Sequence, residues 1–252
     1  MGKLTDLIKR AGRTEPEPMG FGAAARQHLP TLLLVALAGE RWARAAAEAI
    51  DAGADALLLT GRPSDKEIEE TVAAAKDHAC GLLAPDASAE QLQRLHEAGL
   101  DFAVIGPGAP AAAIADEKLT LAYHLRDDLT DIQLRALDAM PFVVIYLERD
   151  AAPTTVMRLI ELQRIAGLAR KPLLIQIALD SGKAELTALR DAGGALVAID
   201  MKERNAAETL RKLRETIDAL PRRRLHRDER PNVALSRSGG ESEHQSDEED
   251  DE

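Results

Sequence analysis

One cysteine, Cys80, stands in 252 residues. A lone thiol excludes an intramolecular disulfide framework, a cysteine-based zinc site and a redox pair, which fits a reducing compartment. Aromatic residues are almost as scarce: one Trp, two Tyr and three Phe. Phe21, Trp42, Phe102, Tyr123, Phe142 and Tyr146 are scattered, mostly within core-like runs. The stacking platforms that nucleic-acid binding wants are missing, so no nucleic-acid partner is expected. No apolar run approaches the ~20 residues that span a bilayer, and the longest, 31–39, has the length of a buried strand. The start of the chain lacks the apolar stretch of a secretory signal. Asp6 stands where a myristoylation motif wants Ser or Thr. The expectation is a cytoplasmic protein with no membrane partner.

Charge of one sign is also missing where it counts. The net −11 is concentrated at the end of the chain, because residues 239–252 hold eight acids and no Lys or Arg. Residues 221–238 carry six Arg against two acids, which leaves the body, 1–220, at −7. A segment this polar has too few apolar residues to fold, so 221–252 is expected to be a disordered tail, basic then acidic. Its blocks can serve as a solubilising appendage, pair with each other, or engage a protein partner of opposite charge through contacts that salt weakens.

What is present from residue 31 onward is a repeated unit, a short apolar run followed by a polar turn and a helix-period stretch. The runs are 31–39, 56–61, 80–84, 102–106, 119–125, 142–147, 173–179 and 196–200. The helices between and after them are 41–52, 65–77, 89–98, 130–139, 154–169, 184–192 and 206–220, with Gly53, Gly99 and Gly193 as stops. Eight short runs alternating with helices predict a (β/α)8 barrel over 31–220. An open doubly wound sheet or two half-domains are the rival architectures, and eight units in so short a stretch favour closure. The fourth unit is degraded, since 107–118 holds two prolines and five alanines. Residues 1–30 form a lead-in whose first helix, with Leu4, Leu7 and Ile8, is expected to plug the N-terminal end of the barrel. The other reading of that helix, against which its few apolar residues and lack of an aromatic anchor count, is a partner-docking or membrane-surface helix.

In a parallel barrel, side chains alternate between the interior and the helix layer, and function collects at the C-terminal ends of the strands. The helix-facing set should be uniformly aliphatic. Val143, Ile145 and Leu147 then point outward and leave Tyr146 and Glu148 inside. Leu173, Ile175, Ile177 and Leu179 go outward, leaving Gln176 and Asp180. Val197 and Ile199 leave Asp200 and Lys202 at the mouth. Leu121, Tyr123 and Leu125 leave His124 and Arg126. Glu40, Thr60, Arg62 and Asp86 extend the same ring.

Such a ring of charge has two readings. Ends of strands lie at the solvent boundary, where charges can simply pair across the rim. Alternatively, carboxylates on consecutive strands hold a divalent cation, with Glu148, Asp180 and Asp200 as oxygen ligands suited to Mg²⁺ or Mn²⁺. His124 is then the natural acid/base, because its unperturbed pKa lies near neutrality. The same residue can equally be a hydrogen-bonded structural histidine. Glu148 joins it as a catalytic candidate. Lys202 is either an exposed rim lysine or a Schiff-base nucleophile of the kind class I aldolases use. Arg62 and Arg126 are expected to bind an anionic substrate. Ser181, Gly182 and Lys183 follow the seventh strand, where backbone amides at a helix N-terminus can cradle phosphate. No dinucleotide fingerprint or phosphate-binding P-loop occurs, for Gly106-Pro-Gly108 opens no good helix, and no dinucleotide cofactor is expected.

The phrases AGADALLLTG (52–61), EAGLDFAVIG (97–106) and DAGGALVAID (191–200) resemble the aldolase-type barrel superfamily. The resemblance implies a barrel that handles phosphate or performs lyase chemistry, and it specifies no activity. Residues 200–205, Asp-Met-Lys-Glu-Arg-Asn, look like the Asp-x-Lys-x-x-Asp motif of the orotidine-phosphate decarboxylase group. They depart from it at Asn205 and fall on a different strand, so that function is not carried over. Two functions are therefore expected: a lyase or aldolase-like enzyme on a small anionic metabolite, carboxylate or phosphate, or a non-catalytic barrel acting through its N-terminal helix and tail.

Overall fold

A computed structural model describes residues 2–12, 32–115, 118–126, 128–148, 154–202 and 205–221. The expected tail, from 222 onward, and most of the lead-in lie outside the described residues. After helix α1 (Lys3–Gly12), strands and helices alternate: β1 (Leu33–Ala38), α2 (Trp42–Asp51), β2 (Ala56–Leu59), α3 (Asp65–Ala75), β3 (Ala79–Leu83), α4 (Ala89–Glu97) and β4 (Phe102–Ile105). The second half runs β5 (Thr120–His124), α5 (Asp131–Asp138), β6 (Phe142–Leu147), α6 (Val156–Ala169), β7 (Leu173–Gln176), α7 (Lys183–Asp191), β8 (Gly194–Asp200) and α8 (Ala206–Asp218). Each strand pairs in parallel with its sequence neighbour and β8 returns to β1, from Leu33 opposite Leu196 to Leu37 opposite Asp200, closing the barrel. The open-sheet alternative is excluded. No helix among the described residues is long and apolar enough to cross a membrane.

Local sequence explains where helices begin and end. Ser64, Ser88 and Thr130 each accept the backbone N–H three residues on, while Glu67, Gln91 and Gln133 reach back to the cap, so α3, α4 and α5 all start on capping boxes. Gly53, Gly99 and Gly193 follow α2, α4 and α7 with φ of 96°, 92° and 108°, the left-handed stops the sequence indicated. The degraded fourth unit keeps only a single 3₁₀ turn, Ala111–Ile114. Its prolines at 107 and 110 supply no N–H to a helix.

Two apolar layers hold the barrel together. Leu34, Leu57, Ile105, Ile145, Ile175 and Val197 face the helices, and Leu33, Val35, Leu58, Val104, Val144 and Leu174 fill the interior. Leu4, 1% exposed, belongs to the interior set, with Leu7 and Ile8 packed beside it. Asp101 fixes this helix by accepting the N–H groups of Lys3 and Leu4 at 2.6 and 2.8 Å. The first helix is therefore a stopper at the N-terminal end. At the same end Asp55 accepts the Leu34 N–H at 2.7 Å and pairs with Arg214 of α8 at 2.8 Å, clasping the seam where the last unit meets the first.

One expected orientation changes. Leu121 lies opposite Phe142 and Ala122 opposite Val144, so the register skips Val143. Phe142 takes the helix-facing place and stacks with Tyr123 at 5.1 Å, while Val143 sits half-buried beside the interior set. The skip restores the alternation above it, and Ile145, Tyr146 and Leu147 lie as expected.

Candidate functional site

At the C-terminal ends of β5 and β6, His124 lies directly opposite Tyr146. Both point inward because the alternate positions, Tyr123, Ile145 and Leu147, belong to the helix layer. Their rings approach to 5.1 Å, and the Tyr146 hydroxyl donates to Gln176 Oε1 of β7 at 3.3 Å. Burial, reinforced by Glu148 and Asp200, pushes the Tyr146 phenol well above its ordinary pKa, so it stays protonated as a donor.

Glu148, just past β6, brings Oε1 to 3.3 Å from His124 Nε2. The histidine is 2% exposed and the glutamate 52%. The approach is off the direction a hydrogen bond needs, and neither ring nitrogen has a hydrogen-bond partner among the described residues. Burial lowers the His124 pKa below its ordinary 6.5, Glu148 opposes that shift, and Arg126 adds to it. Each unmade hydrogen bond of a buried imidazole costs about 1–3 kcal/mol, and such groups concentrate at functional sites.

His124 forms part of the wall of a pocket of about 500 Å³ between the tops of β5 and β6 and helices α5 and α6. Arg126, Glu148, Arg158, Glu161 and Arg164 supply its polar lining, with Leu134, Leu147 and Ile165 behind them. Arg164 gives the pocket its form: Nε donates to Asp131 at 2.8 Å, Nη2 to the Leu129 carbonyl at 2.8 Å, and Nη1 reaches Asp128 at 3.4 Å. This stitches α6 to the start of α5. Arg158 pairs with Glu161 at 2.8 Å. The α6 residues were invisible to a strand-by-strand reading. Their signal is the recurrence of charge at 158, 161 and 164, three residues apart along one edge of an otherwise apolar helix.

The remaining candidates are spread around the mouth. Asp200 is half-buried opposite Leu37, and its carboxylate accepts the Lys202 N–H at 2.9 Å. The Lys202 side chain lies over Gly39, where any Cβ would collide with it. Glu40, Arg62, Asp86, Arg126 and Asp180 are exposed. Ser181 is buried, 6% exposed, and its hydroxyl has no partner among the described residues. Gly182 is the N-cap of α7 and Lys183 its first residue.

The carboxylates expected to hold Mg²⁺ or Mn²⁺ do not converge: among the described residues no three of His, Cys, Asp and Glu are placed to hold a metal ion. Glu148 is committed beside His124, Asp200 to its own turn, and Asp180 points to solvent. The donor set therefore does not fit the cation.

No family model matches the chain, and no curated protein does. Solved structures do. A 3-keto-L-gulonate-6-phosphate decarboxylase from Vibrio cholerae matches with a TM-score of 0.60 at 16% identity, over 74% of this chain and 97% of that one. A second such enzyme, from Streptococcus mutans, gives 0.60 at 12% identity over 74% and 97%. The tryptophan synthase alpha-subunit of Pyrococcus furiosus gives 0.58 at 14% over 75% and 98%. At these identities the likeness is one of fold, and the chain is a closed (β/α)8 barrel.

Proposed function

We propose that this barrel is a lyase or aldolase-like enzyme acting on a small anionic metabolite at its C-terminal mouth, with His124 as the acid/base. The observation that carries this is the burial of His124 on the wall of an open pocket with both ring nitrogens unpartnered. The desolvated imidazole is neutral at pH 7 and free to accept a proton from a substrate C–H or O–H. Glu148, 3.3 Å away, then stabilises the imidazolium and orients the ring. Arg126, which touches the same pocket, holds the substrate's anionic group and spreads the negative charge that proton removal creates. Tyr146, fixed by Gln176, backs the imidazole from the barrel interior.

A second anion contact fits at the start of α7. Backbone N–H groups at a helix N-terminus favour an oxyanion, the buried Ser181 hydroxyl lacks a partner, and Lys183 stands beside it. Arg62 and Lys202 complete the cationic side of the mouth, with Lys202 as a contact rather than a covalent nucleophile. One of the similar structures from Streptococcus mutans is in complex with a phosphate sugar, which supports a phosphorylated ligand here. No step of this reading passes through a metal.

The test is a thermal-shift panel of phosphorylated sugars, sugar acids and keto acids, followed by turnover of the hits monitored by NMR. A ligand should raise the melting temperature of the wild type and of His124→Gln, and less so that of Arg126→Ala and Lys183→Ala. His124→Gln should lose about 10²–10⁴-fold in turnover. A panel without a stabilising anion, or a His124→Gln variant that turns over normally, overturns the reading.

A further inference from the structure

All the large apolar side chains that stand exposed among the described residues lie on two adjacent helices: Ile132 on α5, and Val156, Met157 and Ile160 on α6, at 56–77% exposure. Single exposed apolar residues need no explanation, whereas a cluster marks a contact surface. Along α6 the exposed stripe is Val156, Ile160, Gln163 and Gly167. It carries no charge over a length of about 16 Å, at the helix rise of ~1.5 Å per residue. A Cβ added at Gly167 would meet nothing within 4 Å, so the backbone there is open to a neighbour. On α3, by contrast, the exposed face holds Asp65, Lys66, Glu69 and Glu70.

Charge says what can cover this stripe. Arg135, Arg158, Arg164 and Arg170 stand against Asp128, Asp131, Asp138 and Glu161, so the charges bordering it sum to zero, and Arg158 pairs with Glu161, Arg164 with Asp128 and Asp131, and Arg170 with Asp138 within the α5/α6 layer. The face thus offers no carboxylate excess to a basic protein and no cationic fringe to an anionic membrane. The rest of the body is acidic, at −7 for residues 1–220. Two such bodies repel across most of their surfaces, and a neutral apolar face is where they can meet without that cost.

We propose that this face joins two copies of the chain about a two-fold axis, α6 against α6. A two-fold contact places the same patch on both sides and so demands self-complementarity. With the helices antiparallel and the axis between Ile160 and Gln163, Val156 and Ile160 of one copy lie against Gln163 and Gly167 of the other. Ile132 and Met157 widen the contact toward the roughly 800 Å² per partner of a standard interface. Because Arg158 and Glu161 face the pocket from the same helix, the interface backs directly onto the candidate site.

Sedimentation velocity of the full chain should show a dimer at micromolar concentration that added salt does not dissociate. Ile160→Glu sets two carboxylates near the axis and should weaken self-association about a hundredfold or more. Its circular dichroism should match the wild type, since the replaced side chain is exposed. Mixing Ile160→Glu with Ile160→Lys should restore a dimer, and Lys66→Glu on α3 should leave it intact. A wild type that stays monomeric, or a dimer indifferent to Ile160→Glu, overturns the proposal. So does a monomer that co-sediments with phosphatidylcholine and phosphatidylserine vesicles through Ile160, which would assign the face to lipid. None of these outcomes depends on whether the pocket is catalytic.

Discussion

Replacing His124 with Leu should make the barrel more stable while leaving the site inert. Two buried ring nitrogens without hydrogen-bond partners carry a penalty of about 1–3 kcal/mol each, part of which water in the pocket relieves. Loss of the ring contact with Tyr146, 5.1 Å between centroids, takes back about 0.5–1.5 kcal/mol. The balance favours Leu by about 1–2 kcal/mol at pH 7. At roughly 2–4 °C per kcal/mol for a body of this size, that is a rise of about 2–8 °C in Tm. The gain should depend on pH. Burial holds the folded pKa of His124 below its ordinary 6.5, so on acidification the unfolded chain takes up this proton before the folded one does. The folded state loses stability as pH falls from 6.5 toward the folded pKa, and holds it fully above 6.5. Leu lacks that liability, so its advantage widens by up to about 1.4 kcal/mol per pH unit within that window. Urea unfolding followed by circular dichroism at pH 8, 7, 6 and 5 measures both effects. A variant less stable than the wild type at pH 7, or an advantage that stays constant from pH 8 to pH 5, refutes the claim that this histidine is held buried and unsatisfied.

Leu4→Ala should cost about 2–4 kcal/mol in urea unfolding, because it hollows the stopper beneath the interior layer. Arg164→Ala should loosen the first turn of α5 enough to raise amide hydrogen exchange at Gln133 and Leu134. Burial, with Asp101 nearby, pushes the Cys80 thiol up to about 12. A thiol reagent at pH 8 should therefore leave the folded protein unmodified and react at once in urea. Ser181→Ala removes a buried hydroxyl that has no partner, and should leave stability within about 0.5 kcal/mol of the wild type while weakening any phosphate-induced thermal shift.

The barrel itself was legible because each level of the sequence agreed with the next. The alternating aliphatic runs, the helix-period stretches between them and the glycine stops at 53, 99 and 193 all indicated the same boundaries. The degraded fourth unit was legible too, since proline chemistry is local. Val143 was not, because a register skip depends on how β5 and β6 twist against each other, and alternation along one strand carries no trace of that. The inward placement of His124, Tyr146 and Gln176 followed from alternation alone. Which charges converge did not: Glu148 folds back onto His124, while Asp180, equally well placed on paper, points into solvent. The pocket's outer wall escaped the sequence reading because it belongs to α6, whose arginines gain meaning only when the helix is laid against α5.

The clasp of Asp55 by Arg214 joins residues 159 positions apart in the chain, across the seam where β1 meets β8. Until β8 has left the ribosome, β1 remains a bare edge with half its backbone groups unpaired and the adjacent interior open. Seven strands synthesised in order cannot yet make a barrel, so this body completes its fold only after nearly all of it exists. A chain truncated before Gly194 would present that edge to any neighbour able to extend the sheet.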